Sequence, residues 1–324
     1  MQAFEYASPK TLKEAVALLG TRWGEADVLA GGTDLISLMK DYLHTPKRVV
    51  NVKGIKELAG ISKTGAGLRI GAIVTVDELL NNSAVRAEYP SLIQAARGIA
   101  SPQIRNMGTI GGDLCQRPRC WYFRTGNGLL AMKDGKSLVV SGDNRYHAIF
   151  SSGPAYFVSA SSFGPPLIAL GAKVKLTSAT GSREVEVAKF FVTPQNESSR
   201  EIALLPNEIL TEILVPSAQG VKNATYEVRH KDALDWPLVT ASVALKMKGN
   251  TVESAKVVLG HVAPTPYVAA AVERALAGKT INESAAEAAG EAAVENAKPL
   301  SENGYKVQLV KVAVKRALLE AVKA

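Results

Sequence analysis

Leu29-Ala30-Gly31-Gly32-Thr33-Asp34-Leu35-Ile36 decides how the chain is read, because it joins a short apolar strand over 28–30 to a helical pattern over 35–42. Paired glycines let a backbone turn tightly and come close to a ligand. A helix start that follows such a turn offers free N–H groups and the positive end of a dipole, which together suit a phosphate or pyrophosphate. A second segment repeats the theme: Gly108-Thr109-Ile110-Gly111-Gly112-Asp113-Leu114. Either segment alone is also what an ordinary turn looks like. Neither has the glycine spacing of a dinucleotide fingerprint or the lysine of a P-loop. A nucleotide bound here is therefore held by a different fold.

Outward from the first loop, the opening residues alternate helix and strand. Thr11-Leu12-Lys13-Glu14 reads as a capping box, in which hydroxyl and carboxylate satisfy the free N–H groups of a helix start. Val49-Val50-Asn51-Val52 is the next strand. A second unit begins near Leu58, with a strand over 68–73, a second capping box at Thr75-Val76-Asp77-Glu78, and a helical stretch over 85–100. Gly65-Ala66-Gly67 is a hairpin turn. Residues 101–166 are rich in Gly, Ser and Pro without sustained periodicity, and read as loops carrying a site. Val174 to Leu176 and Val185 to Val187 flank a turn at 178–182 as a hairpin. A strand over 208–215 stops at Pro216, and a polar join follows at 217–223. Strands over 240–247 and 251–261 flank Gly249-Asn250. Helices are expected over 267–277, 282–297 and 303–322, the last with Val307, Val310, Val314 and Leu318 on one packing stripe.

The bulk properties narrow the function classes. The 324 residues suffice for two or three packed units, and 47% hydrophobic with 21% charged residues is ordinary for a globular chain. The net charge of +8 is spread along the chain without a basic block, so nucleic acid is not the expected partner. No apolar run has the length of a membrane span, and Met1-Gln2-Ala3-Phe4-Glu5-Tyr6 is not a signal peptide, so a cytoplasmic protein with no membrane contact is expected. Cys115 and Cys120 lie too close together to staple distant elements. The four histidines show no metal-site spacing, and structural or surface roles are expected for His147 and His261. Arg117, Arg119 and Arg124, interleaved with Trp121, Tyr122 and Phe123, admit three readings: base stacking, docking of a partner, or an ordinary packed loop.

Taken in order, Ala30-Gly31-Gly32-Thr33-Asp34-Leu35, then Gln103-Ile104-Arg105-Asn106, then Thr109-Ile110-Gly111-Gly112-Asp113-Leu114, and finally Ala263-Pro264-Thr265-Pro266 resemble the FAD-binding subunits of the xanthine dehydrogenase and carbon monoxide dehydrogenase family. The resemblance extends over nearly the whole chain. It implies an α+β fold: a two-lobed FAD-binding domain of the vanillyl-alcohol-oxidase (PCMH) type over 1–217, with lobes over about 1–55 and 56–217, and a C-terminal α+β domain of the CO dehydrogenase flavoprotein type over 218–324. By the same resemblance, Leu29, Ala30, Gly31, Gly32, Thr33, Asp34, Leu35 and Ile36 together with Thr109, Ile110, Gly111, Gly112 and Asp113 hold the FAD diphosphate. Asp113 stands where Asn is commoner, and is expected to accept from a ribose or a backbone N–H rather than meet phosphate. Ser162 stands where relatives have Asp, and keeps a weaker hydrogen bond to the cofactor. Arg229, His230, Lys231 and Asp232 either approach the flavin or form a solvated turn.

The resemblance also implies partners and an activity. Substrate chemistry belongs to a molybdenum-cofactor large subunit, electrons pass through a 2Fe–2S small subunit, and the FAD of this subunit delivers them to NAD or another acceptor. The subunit itself then needs no catalytic nucleophile or base. Some relatives carry a 4Fe–4S cluster after Trp121. Here Leu129, Leu130 and Ala155 stand where ligands would be sought, and two cysteines fall short of four thiolates, so no such cluster and no metal site are expected. The alternatives are a stand-alone flavin oxidoreductase and a flavin-free structural subunit.

Overall fold

Among the described residues three larger sheets, each with its own apolar core, follow one another along the chain, and a two-stranded one pairs Met132–Lys133 with Lys136–Ser137. The computed structural model describes residues 1–99 and 101–323. The first sheet is parallel, with Arg48–Asn51 between Glu5–Ala7 and Ala26–Leu29. Parallel neighbours need crossovers, and here they include the short helices Leu12–Ala17 and Leu35–Lys40. Thr11 accepts the Glu14 N–H, but the Glu14 carboxylate takes the Lys10 N–H and not that of Thr11, so only the hydroxyl half of the first expected capping box is formed. Ala15, Val16, Ala26, Val50, Ile55 and Leu58 make its core.

The second sheet is antiparallel, in the order Ile61–Thr64, Gly67–Gly71, Ile209–Pro216, Lys173–Ser178, Gly181–Glu186. The strand ending at Pro216 is thus drawn into the middle, between segments more than thirty residues away in sequence. Thr75 and Glu78 form the complete capping box of Val76–Asn81. The helical stretch expected over 85–100 is two helices, Ser83–Glu88 and Pro90–Gly98. Pro90 lacks the N–H to continue a helix and drives Tyr89 out of the α region (φ −127°, ψ 57°); residue 100 lies outside the described residues. The stretch read as loops over 101–166 contains single-turn helices, among them Pro102–Met107, Ile110–Cys115 and Leu138–Ser141, started by Ser101, Thr109 and Ser137 side-chain caps. They are too short to show a helical period. Val187 leaves the hairpin to open the turn Val187–Phe190.

The third sheet runs Val221–Val228, Val239–Lys248, Thr251–Gly260, Tyr267–Val268, all antiparallel. The expected polar join was in part a strand. Val221–Val228 pairs along its full length with Val239–Lys248, and its polar residues are internal: Thr225 bonds Ser242 Oγ at 2.8 Å, and Asn223 Oδ1 accepts the Ser91 N–H at 3.0 Å. Satisfied polar side chains inside a core disguised a buried strand. The helices Ala270–Leu276, Glu283–Ala292 and Tyr305–Lys323 cover this sheet. Val310, Val314 and Leu318 are fully buried and Val307 half-buried, so the expected stripe is core; each full burial contributes about 1.5–3 kcal/mol. No helix among the described residues is long and apolar enough to cross a membrane.

Candidate functional site

The two glycine segments meet. Leaving the strand Ala26–Leu29, the chain turns at Gly32 (φ +74°) into the helix Leu35–Lys40. A side chain at Gly31 would place its Cβ 2.0 Å from the Met107 carbonyl oxygen, so the first loop lies directly on the turn that introduces the second. Among the described residues, the N–H groups of Gly32, Thr33 and Asp34 have no protein acceptor. The Asp34 carboxylate points the other way. It accepts from the Arg117 N–H (2.9 Å) and from Arg124 Nη2 (2.8 Å), with Arg119 at 3.4 Å.

In the second loop the backbone donors from Ile110 to Asp113 are already engaged. Ile110 N donates to Val74 O, Gly111 N to Ala72 O, Gly112 N to Thr109 Oγ1, and Asp113 N to Thr109 O. Asp113 receives the Ser161 hydroxyl, the Ser162 and Phe163 N–H groups (3.2 and 3.0 Å) and Gln116 Nε2 (2.9 Å). Of the two acceptor roles expected for it, the bond to backbone N–H is formed. Burial pushes its carboxyl above the usual range, against the pull of the Ser161, Phe163 and Ser162 donors. Ser162 is buried and hands its N–H to Asp113.

Both loops line one cavity of ≈ 430 Å³, within the range of small-molecule sites. Ala30, Gly31, Gly32, Thr33, Asp34, Leu35, Thr109, Gly111, Gly112, Asp113 and Ser162 are on its wall. Leu29, Ile36 and Ile110 are not: Leu29 and Ile36 pack behind Gly32, and Ile110 is sealed in the core. The C-terminal domain contributes Asp235, Trp236 and Pro237 instead of the segment 229–232. His230, Lys231 and Asp232 are exposed, as a solvated turn would be, and Arg229 pairs with Glu227 against the back of Gly98. Burial raises Glu227 to about 7, and Arg229 pulls the other way.

Sequence reasoning missed a further wall. Trp23 with Asp27, His44 and Arg200 come from three separate stretches of sequence and line the cavity together. Arg117 Nη1 lies 2.6 Å from His44 Nε2, and His44 Nδ1 lies 3.2 Å from Asp27 Oδ2. Arg cannot accept, so Nε2 is the acceptor and the ring proton sits on Nδ1, donated to Asp27. Arg117 also pairs with Glu201. No motif spacing announces such a chain. The basic–aromatic segment is thereby a packed loop: Arg117, Arg119 and Arg124 face carboxylates inside the protein, and Arg119 also covers the Trp236 ring at 4.7 Å.

The stretch from Arg124 to about Ala155, an insert after Trp121, is held by apolar packing and amides. Leu129, Leu130 and Ala155 form a core with Leu38, Phe123 and Phe157. Cys120 Sγ is 3.1 Å from His147 Nε2. Burial raises both thiols, Cys115 to about 12. Among the described residues no three His, Cys, Asp or Glu side chains are grouped to hold a metal ion. Asn144 and Asn303 stitch the insert to the C-terminal domain through Ser301 Oγ, the Glu302 N–H and the carbonyls of His147 and Ala148. His147 and His261 are buried there. Desolvation, with the nearby Lys306 charge, lowers them to about 4 and about 3.

Two family models account for this geometry. Residues 2–218 match the FAD binding domain in molybdopterin dehydrogenase, and residues 224–321 match the CO dehydrogenase flavoprotein C-terminal domain. Carbon monoxide dehydrogenase medium chain from Hydrogenophaga pseudoflava is 32% identical over 320 residues, 97% of this chain and 96% of that one. An aldehyde oxidoreductase FAD-binding subunit from Escherichia coli (strain K12) is 32% identical over 326 residues, 99% of each. Among solved structures, a carbon monoxide dehydrogenase from Hydrogenophaga pseudoflava superposes with a TM-score of 0.78 at 31% identity, covering 99% of this chain and 98% of that one.

Proposed function

The chain belongs to the family of FAD-binding subunits of molybdenum hydroxylases, and from that premise we propose that it holds FAD in the cavity between its two glycine loops and relays electrons from a 2Fe–2S small subunit to NAD or another acceptor. It is an oxidoreductase subunit. FAD, when bound, supplies both one- and two-electron chemistry, and the protein's part is to bind, orient and tune it.

The observation that carries the placement is the row of N–H groups at Gly32, Thr33 and Asp34. They are without protein acceptors and sit on the wall of the cavity that both glycine loops share. A diphosphate is the part of FAD that such a row suits, because successive free backbone N–H groups at a helix start converge on anionic oxygens. Thr109 adds a hydroxyl, while Gly111 and Gly112 let the wall pack closely on Ala72 and Thr109. Leu29, Ile36 and Ile110 shape this wall from behind, and Asp34 anchors it to Arg117, Arg119 and Arg124. Asp113 and Ser162 brace each other beside it.

The proposed partners are a molybdenum-cofactor large subunit and the 2Fe–2S small subunit. The two free, half-buried cysteines suit a reducing cytoplasm. The test is to purify the complex, remove its flavin, and follow substrate oxidation with two acceptors. Loss of NAD or oxygen reduction, with retained reduction of a dye that takes electrons from the iron–sulfur clusters, is the expected result. Undiminished turnover with the physiological acceptor after flavin removal would rule out the relay.

A further inference from the structure

We propose that Arg200, resting on Trp23, is a cofactor-binding residue that donates to the acceptor edge of one of the two heteroaromatic rings of FAD. The inference rests on the FAD reading of the cavity and adds to it a residue outside both glycine loops.

Arg200 and Trp23 both line the cavity, and the guanidinium carbon sits 4.1 Å from the Trp23 ring centroid. One face of the guanidinium is therefore covered by the indole, which leaves its in-plane N–H groups as the part able to reach a ligand. Its Nε is buried with no acceptor, and among the described residues the side chain has no ion-pair partner. The carboxylates around it are committed elsewhere. Glu201, its neighbour in sequence, pairs with Arg117, and Asp27 accepts from His44. Burial and the adjacent Arg117 charge lower its pKa to about 10, so it still carries its charge near neutral pH.

A desolvated, unpaired guanidinium is an expensive thing to leave in a protein interior. Here it faces a cavity and not a packed core. The cavity wall also carries Cys115, Ile202 and Leu204, apolar surfaces that suit a flat ring, beside the already partnered Asp27 and Arg117. A planar donor fork at the rim of an indole shelf matches the ring nitrogens and carbonyls of adenine or of isoalloxazine. In both cases the shared chemistry is an in-plane heteroaromatic acceptor.

The test is a set of titrations of the flavin-free full chain with FAD, FMN and ADP, using the wild type, Arg200→Met and Arg200→Lys, alongside thermal denaturation of each flavin-free protein. Arg200→Met should weaken FAD binding by roughly ten- to a hundredfold, the range of a lost charged hydrogen bond. The loss should appear with ADP if adenine is the partner, or with FMN if isoalloxazine is. Arg200→Lys should recover part of the affinity. Because the cation has no protein partner, the melting temperature of flavin-free Arg200→Met should hold or rise. A variant that melts lower and binds FAD, FMN and ADP like the wild type would overturn the assignment and make Arg200 structural. A wild type that fails to bind FAD would overturn the cavity reading itself and this inference with it.

Discussion

The first and second glycine loops look like copies of each other, Gly31-Gly32-Thr33-Asp34-Leu35 beside Gly111-Gly112-Asp113-Leu114, and the fold gives them opposite parts. The first leaves three N–H groups open to the cavity and turns its aspartate outward, to Arg117, Arg119 and Arg124. The second spends its N–H groups from Ile110 to Asp113 on Thr109, Val74 and Ala72 and turns its aspartate inward, to Ser161, Ser162 and Phe163. One loop is a binding edge and the other a fixed wall. Glycine pairs mark where a backbone must come close; whether it comes close to a ligand or to the protein is decided by what its amides already hold.

The harshest way to break this arrangement is Gly31→Ala. Its methyl would press on the Met107 backbone, which cannot yield as a flexible side chain would, and the two loops would be forced apart. A destabilisation of at least about 3 kcal/mol is expected, at the upper end for overpacking, and calorimetry on the flavin-free chain would measure it.

The two aspartates give a finer contrast. Asp34→Asn removes the charge facing Arg119 and Arg124 and should cost about 2 kcal/mol in urea denaturation at neutral pH. Asp113→Asn removes a charge that burial already disfavours and should cost about 1 kcal/mol or less there. A carboxyl raised above its unfolded pKa holds its proton longer in the folded state, so its charge lowers stability as pH climbs through the folded pKa. The gap between wild type and Asp113→Asn should therefore narrow as pH rises from 4. A widening gap would mean that the Asp113 charge is a stabilising one.

Acid sharpens the contrast from outside, because neither glycine loop contains a histidine. His147 and His261 are lowered to about 4 and about 3. Unfolded histidines bind protons below about pH 6.5, whereas these stay neutral in the fold. Stability is then present above that pH and drains away as pH falls toward 4. His147→Gln should flatten the decline between pH 6.5 and 4 by about 1–3 kcal/mol, read from denaturation midpoints across that interval.

Much of the fold was open to reading, for identifiable reasons. Thr75 and Glu78 close a capping box in the structure just as their spacing predicts, because that motif is entirely local. The stripe of Val310, Val314 and Leu318 is core because a helical period long enough to see needs several turns, and this helix has them. Val221–Val228 was hidden by Asn223 and Thr225, polar residues whose partners, Ser91 and Ser242, become visible only in three dimensions. The site divides in the same way. The glycine loops announce themselves through composition, whereas Trp23, His44 and Arg200 are assembled by the docking of lobes and carry no shared spacing. The segment 229–232 was a near miss: the C-terminal domain does reach the cavity, a few residues further on, at Asp235, Trp236 and Pro237.

The most direct test of the account is the flavin content of the purified chain, measured by absorbance from 300 to 700 nm before and after acid release and repeated after incubation with FAD. The account predicts a flavin spectrum, about one FAD released per chain, and no broad iron–sulfur absorbance near 400–420 nm. A chain that stays colourless after incubation with FAD would contradict it and leave a structural subunit in its place.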